Sequence, residues 1–228
     1  MRQFTPYLFL LLAASFLYSC KSAKLSDAEE KQRIGEYFEA AAIYRKVYTK
    51  TPPAKRDLRG YIAFRMAECN RLINNTPRAT SAYMNALRYK YPDSIVNLRL
   101  GQMYQKSGRY GEAIKYYNDY LLAEPGSVLA FNGVTGSEEA VKWKQAPTRY
   151  TVKRMDKFNS RRSEFSPMLY GEKYDQLYFA STRTPKGAGK DKEETNSAIT
   201  GQRNNDFFLV KQDENGAWLA PVELEDEV

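Results

Sequence analysis

The hydrophobic rhythm of the chain changes twice. Behind Arg2, "PYLFLLLAASFLY" (residues 6–18) is an uncharged, almost wholly apolar run. It has the size of an export signal and is too short for a transmembrane helix. From about residue 25 to 145 small and aromatic residues recur at helical spacing. In "GEYFEAAAIYRKVYTKTP" (35–52) Ala40 and Tyr44 lie four residues apart, on one helix face. From Ser163 the pattern turns into strand. "SEFSPMLYGEKYDQLYFASTR" (163–183) reads as a strand pair, and "QLYFASTR" within it alternates like a half-buried strand. "NDFFLVK" (205–211) reads as another. Asn215-Gly216 is a strong hairpin signal, with a further strand starting at Ala217-Trp218-Leu219. The competing reading of Asp213-Glu214-Asn215-Gly216 as a calcium loop fails, because its ligand spacing does not continue.

The helical stretch repeats itself. Aligning 35–52 with "GRYGEAIKYYNDYLLAEP" (108–125) brings Tyr37, Ala40, Tyr44 and Pro52 onto Tyr110, Ala113, Tyr117 and Pro125. "RATSAYMNALRYKYP" (78–92) repeats the pattern with Ala79, Tyr83, Ala86 and Pro92. The small Ala lets a neighbouring helix approach, the Tyr fills the space beside it, and the Pro marks the helix end. Leu100-Gly101 and Tyr104 occupy the preceding helix of the last unit, with Ala67 at the small position of the middle one. Ser26-Asp27-Ala28-Glu29 reads as a capping box that starts the first helix.

This pattern resembles the tetratricopeptide repeat (TPR), in three units over about 22–54, 58–92 and 94–127. A closing helix, "SVLAFNGVTGSEEAVKWK", covers the last apolar face. Three repeats are about the minimum for a stable stack. The resemblance implies a concave groove lined by the first helix of each pair. By the repeat register its residues are Tyr61, Phe64, Glu68, Arg71, Ile95, Leu98, Gln102 and Gln105, a mixture suited to a peptide segment or a partner helix. The competing expectation is that some of them pack between repeats. Cys69 falls on the packed side of its helix, as a buried structural thiol.

Composition narrows the chemistry. There is no histidine, which excludes Ser/His and Cys/His nucleophilic pairs and histidine-ligated metals. The two cysteines, Cys20 and Cys69, have no partner nearby in sequence, so no disulfide framework or zinc knuckle is indicated. The net charge of +8 is spread along the chain and reads as solvated surface rather than nucleic-acid binding. The segment 146–162 is a basic linker, with Arg149, Lys153, Arg154, Lys157, Arg161 and Arg162. It is either solvated or placed against anionic lipid or an acidic partner. The insert Thr184–Asn204 reads as a mobile polar loop. No catalytic residue, metal site or cofactor is expected.

Two further resemblances set the organisation. Leu17-Tyr18-Ser19-Cys20 resembles the bacterial lipobox, which implies cleavage before Cys20 and its lipidation, after a signal peptide at 1–19. Neither an Asp nor an acidic run follows Cys20, and the inner face of an outer membrane is the expected destination. Residues 163–228, with Phe-Ser-Pro, "LYFASTR", the strand led by Asp206 and the Gly-x-Trp hairpin, resemble one PD40 (WD40-like) propeller blade. One blade cannot close a ring, so the chain is expected to end inside that domain. In the order signal, helical repeats 20–145, linker and blade, the chain is similar to PorE-type outer-membrane lipoproteins of Bacteroidetes, associated with type IX secretion.

The family resemblance implies a non-enzymatic periplasmic scaffold that binds envelope or secretion-system proteins. Peptidoglycan would be gripped only by a C-terminal OmpA-like domain absent here, and nucleic acid is not a partner. The alternatives are a SusD-type nutrient-uptake lipoprotein and the regulatory N-terminal part of a PD40 peptidase. The chain has no Gly-x-Ser-x-Gly elbow to supply peptidase chemistry itself.

Overall fold

The computed structural model describes residues 23–146, 148–184 and 196–224. The expected export signal and Cys20 lie outside them. Among the described residues seven helices come first: α1 (Leu25–Arg33), α2 (Tyr37–Lys50), α3 (Arg56–Leu72), α4 (Thr76–Arg88), α5 (Ile95–Lys106), α6 (Tyr110–Ala123) and α7 (Val128–Gln145). Each packs on its sequence neighbours, as in a solenoid of helix pairs α1–α2, α3–α4 and α5–α6 closed by α7.

The repeated Ala and Tyr residues explain the stacking. Ala40, Tyr44, Ala79, Tyr83, Ala113 and Tyr117 are all buried. Tyr117 is held between two glycines. A Cβ on Gly101 of α5 would lie 2.6 Å from its ring, and one on Gly133 of α7 would lie 2.5 Å from it. The turn inside each pair is also repeated. Gly35, Asn74 and Gly108 adopt φ of 87°, 63° and 71°. The next N–H then closes on the last turn of the preceding helix: Glu36 on Lys31 at 2.9 Å, Asn75 on Asn70 at 2.8 Å, and Arg109 on Tyr104 at 2.9 Å. This left-handed stop favours glycine, and asparagine is among the few other residues that tolerate it.

One local expectation is corrected here. Helix α1 starts at Leu25 with Lys24 as its cap, so Ser26 lies inside the helix. Asp27, in the first turn, accepts the Lys24 N–H at 3.4 Å and serves the orphan backbone donor that the expected box assigned elsewhere.

The second part is a four-stranded antiparallel meander in the order β1 (Glu164–Tyr170), β2 (Gln176–Ser181), β3 (Asp206–Lys211), β4 (Val222–Glu223). The Asn-Gly turn forms as expected, with Asp213 Oδ1 accepting from the N–H groups of Asn215 and Ala217, both at 2.9 Å. The strand expected at Ala217–Leu219 is reduced to a bridge between Gln212 and Trp218. Trp218 packs edge-on against Phe158 at 5.5 Å, and Pro221 lacks the N–H of a continuous ladder, so regular pairing resumes only at Val222. Leu177, Phe179, Phe208 and Val210 form the core of the sheet with Phe158. The alternate positions, among them Phe165, Met168, Tyr170, Phe207 and Val222, are exposed on the other face.

Two expectations about connecting segments change. The linker is not wholly solvated, because its Phe158 is inserted into the sheet core and the Phe158 carbonyl accepts from Arg183. The described end of the expected mobile loop is an ordered turn, closed by the Asn196–Arg203 bridge. It docks on the start of α2. Phe38 N–H donates to the Ile199 carbonyl at 3.1 Å and the Ala198 carbonyl at 3.2 Å, and Glu39 N–H donates to Ala198 at 3.3 Å. The first turn of a helix has spare N–H donors, and here a distant turn satisfies them. Gly201 sits directly against the Phe38 ring.

Candidate protein-binding face

Helices α1, α3 and α5 are the first members of their pairs and line one side of the solenoid. The eight expected groove residues fall on α3 and α5 in four equivalent rows: Tyr61 with Ile95, Phe64 with Leu98, Glu68 with Gln102, and Arg71 with Gln105.

The second row is packing, not groove. Leu98 is 4 % exposed and belongs to the main core. Phe64 stacks on Tyr91 at 4.5 Å and tilts against Tyr83 at 6.1 Å. The expectation of Leu98 as a contact residue is therefore corrected: an apolar residue at that position is drawn between the repeats. The first row is half-buried. Ile95 packs on the core, and Tyr61 donates to Glu29 Oε1 of α1 at 2.8 Å. Burial and that bond push the Tyr61 hydroxyl up to about 12.

The other two rows form a polar strip centred on Glu68. Its carboxylate accepts from Arg71 at 2.6 Å and from the Tyr83 hydroxyl, and lies 3.3 Å from Arg99 Nε. Arg99 in turn donates to Gln102 at 3.1 Å. Burial would raise the Glu68 carboxyl, but the Arg71 and Tyr83 hydrogen bonds and the Arg71 and Arg99 charges outweigh it and hold it below the usual range. Gln105 accepts from the Tyr117 hydroxyl at 2.7 Å and reaches the Gly133 carbonyl at 3.5 Å.

The strip thus presents Arg71, Arg99 and Gln102 with their positions fixed by neighbours. Such groups can hold backbone amides or a carboxylate of a bound chain.

Sequence reasoning missed Glu29, Gln32, Arg65 and Arg99. Gln32 accepts from Tyr44 at 2.9 Å as Gln105 does from Tyr117. Both glutamines stand three residues before the turn glycine, and Arg65 and Arg99 stand at one repeat position, so the register carried a signal for three of the four. Arg65 lies 6.0 Å from the Tyr61 ring centre. Cys69 is fully buried, and burial pushes its thiol up to about 12. Among the described residues no group of His, Cys, Asp or Glu is placed to hold a metal ion, and no helix is long and apolar enough to cross a membrane.

Residues 96–127 match the tetratricopeptide repeat family. No curated protein matches the sequence. Among solved structures, MamA is similar at 17 % identity over 53 % of this chain and 68 % of its own, with a TM-score of 0.46. The Sgt2 TPR domain from Aspergillus fumigatus is 16 % identical over 63 % of this chain and 93 % of its own, with a TM-score of 0.45. The myosin chaperone UNC-45 from C. elegans, solved with an Hsp90 peptide, is 17 % identical over 54 % of this chain and 14 % of its own, with a TM-score of 0.48. The chain carries a tetratricopeptide repeat at 96–127, and its seven described helices build a TPR-like solenoid around it.

Proposed function

We propose that this protein is a non-enzymatic scaffold held by lipidated Cys20 on the periplasmic face of an outer membrane. It binds envelope or secretion-system proteins through the first-helix face of its solenoid, in type IX secretion or cell-envelope anchoring. The four-stranded sheet is its first PD40-like blade. The observation that carries the binding role is the strip of Arg71, Arg99 and Gln102, ordered around Glu68 on a TPR-like stack. TPR stacks are protein-interaction scaffolds whose repeated first helices offer an extended surface. The anchoring role is supported by "LYSC" behind the apolar run.

The two halves are tested together. Cys20→Ala should release the protein from the outer-membrane fraction. A photo-crosslinking residue at Gln102 should capture a defined envelope protein in the anchored form, while the same residue at Asn118, on the outer side of α6, should not. Equal capture from both positions would reject the face, and unchanged membrane partition of Cys20→Ala would reject the anchor.

A further inference from the structure

On the opposite side of the solenoid, α2 and α4 run beside each other over α3 and leave a groove of about 790 Å³. Its rims carry Arg45, Lys46 and Lys50 from α2 and Arg78 from α4, and no Asp or Glu lines it. None of these four cations has an ion-pair or side-chain hydrogen-bond partner among the described residues. Lys31, Arg71 and Arg109 of the same solenoid are paired, with Glu36 and Glu39, Glu68, and Glu112. Lys55, Arg88, Lys90 and Lys144 are unpaired as well among the described residues, and what sets the four groove cations apart is that they line one recess without a carboxylate. Lys46 and Lys50 are also like charges one helical turn apart, an arrangement that destabilises an isolated helix. The floor is mainly apolar, with Ala41 of α2, Ala82 of α4 and Met66 of α3, and Asn70 of α3 beside them with its amide turned to the Met66 carbonyl.

We propose that this groove binds an acidic peptide segment with interleaved apolar side chains, as a second site separate from the first-helix face. The cations supply the counter-charge and the Ala41–Met66 floor takes the apolar side chains. The lining of α2 from Phe38 to Lys50 spans roughly 18 Å at the helical rise. That length accommodates about five residues of extended chain. A recess with an apolar floor suits a peptide better than the flat surface of a bilayer, and its length exceeds that of a single small anion.

The test uses the full chain and a fluorescein-labelled eight-residue peptide alternating glutamate and leucine, read by anisotropy. Saturable binding is expected, weakening about tenfold as added salt shortens the reach of the charges. Arg45→Glu and Arg78→Glu should each weaken it about tenfold, whereas Lys115→Glu on α6 should not. Arg45→Gln, which keeps helix propensity, should give an intermediate loss and guards against a folding artefact, with far-ultraviolet circular dichroism as the check. Equal binding of a glutamine–leucine peptide, or unchanged binding by Arg45→Glu and Arg78→Glu, would overturn the proposal. So would absence of saturable peptide binding, and Arg45-dependent sedimentation with phosphatidylglycerol vesicles would then make the groove a membrane contact. Loss of capture at Gln102 would leave this result untouched, so the two sites fail independently.

Discussion

The Tyr83 hydroxyl donates to the carboxylate of Glu68, whereas Tyr44 and Tyr117, at the same repeat position, donate to the amides Gln32 and Gln105. In the middle unit the amide position is occupied by Arg71, and the acceptor moves one helical turn back. A hydrogen bond to a charged group is the stronger kind. Tyr83→Phe should therefore cost about 1.5–3 kcal/mol, and Tyr44→Phe and Tyr117→Phe about 0.5–1.5 kcal/mol each. Urea unfolding of the three variants checks the order.

The same carboxylate makes stability depend on acid. Glu68 has a folded pKa below its unfolded value, which is about 4.3. Its contribution is complete above the unfolded value and is lost as pH falls through the folded one. Glu68→Gln leaves Arg71 and Arg99 without their counter-charge and should cost about 1–3 kcal/mol at pH 7. The difference in urea midpoint between wild type and this variant should stay constant above about pH 5 and shrink below about pH 4. A difference that persists unchanged at pH 3 would assign the effect to packing.

Glycine substitutions should divide by what the ring of Tyr117 allows. Gly101→Ala and Gly133→Ala place a Cβ 2.6 and 2.5 Å from that ring and should destabilise by about 1–3 kcal/mol. Gly111, near the start of α6, has open space around it, so Gly111→Ala should stabilise by up to about 1 kcal/mol through helix propensity. Thermal melts of the three variants make the comparison.

Gly201→Ala should undo the docking of the 196–203 turn. The new methyl would meet the Phe38 ring, at a φ of 70° that disfavours any side chain. Hydrogen exchange at the Phe38 and Glu39 amides should quicken by at least about tenfold, with the amides inside α4 and α6 unchanged. Equal protection in the variant would show that the turn is not what shields them.

The helical part was legible because one interaction recurs. Ala40 with Tyr44, and Ala113 with Tyr117, mark helix faces and register through local spacing alone. The face was less legible. Position 98 reads as a groove residue by its repeat offset, but Leu98 has no polar tip to keep it at the surface and sinks between helices. Glu68 stands on the expected face of its helix, yet its partner Arg99 lies in the next unit, and only the packed stack brings the two together. The seating of Phe158 in the sheet and of the 196–203 turn on α2 involves contacts far apart in sequence, for which local pattern holds no signal.

The contact between Phe38 and the turn at Gly201 also alters the mechanics of the whole chain. Without it, a load on the sheet would reach the first repeat only through α7, α6 and each earlier helix in turn, like springs in series. With it, the path from sheet to α2 is also direct, and the helices between Lys50 and Gln145 become one side of a closed loop. A repeat stack bends by small rotations at each interface. Closed in this way it behaves as a bow with a string, so that bending of the helical part and seating of the sheet are a single motion.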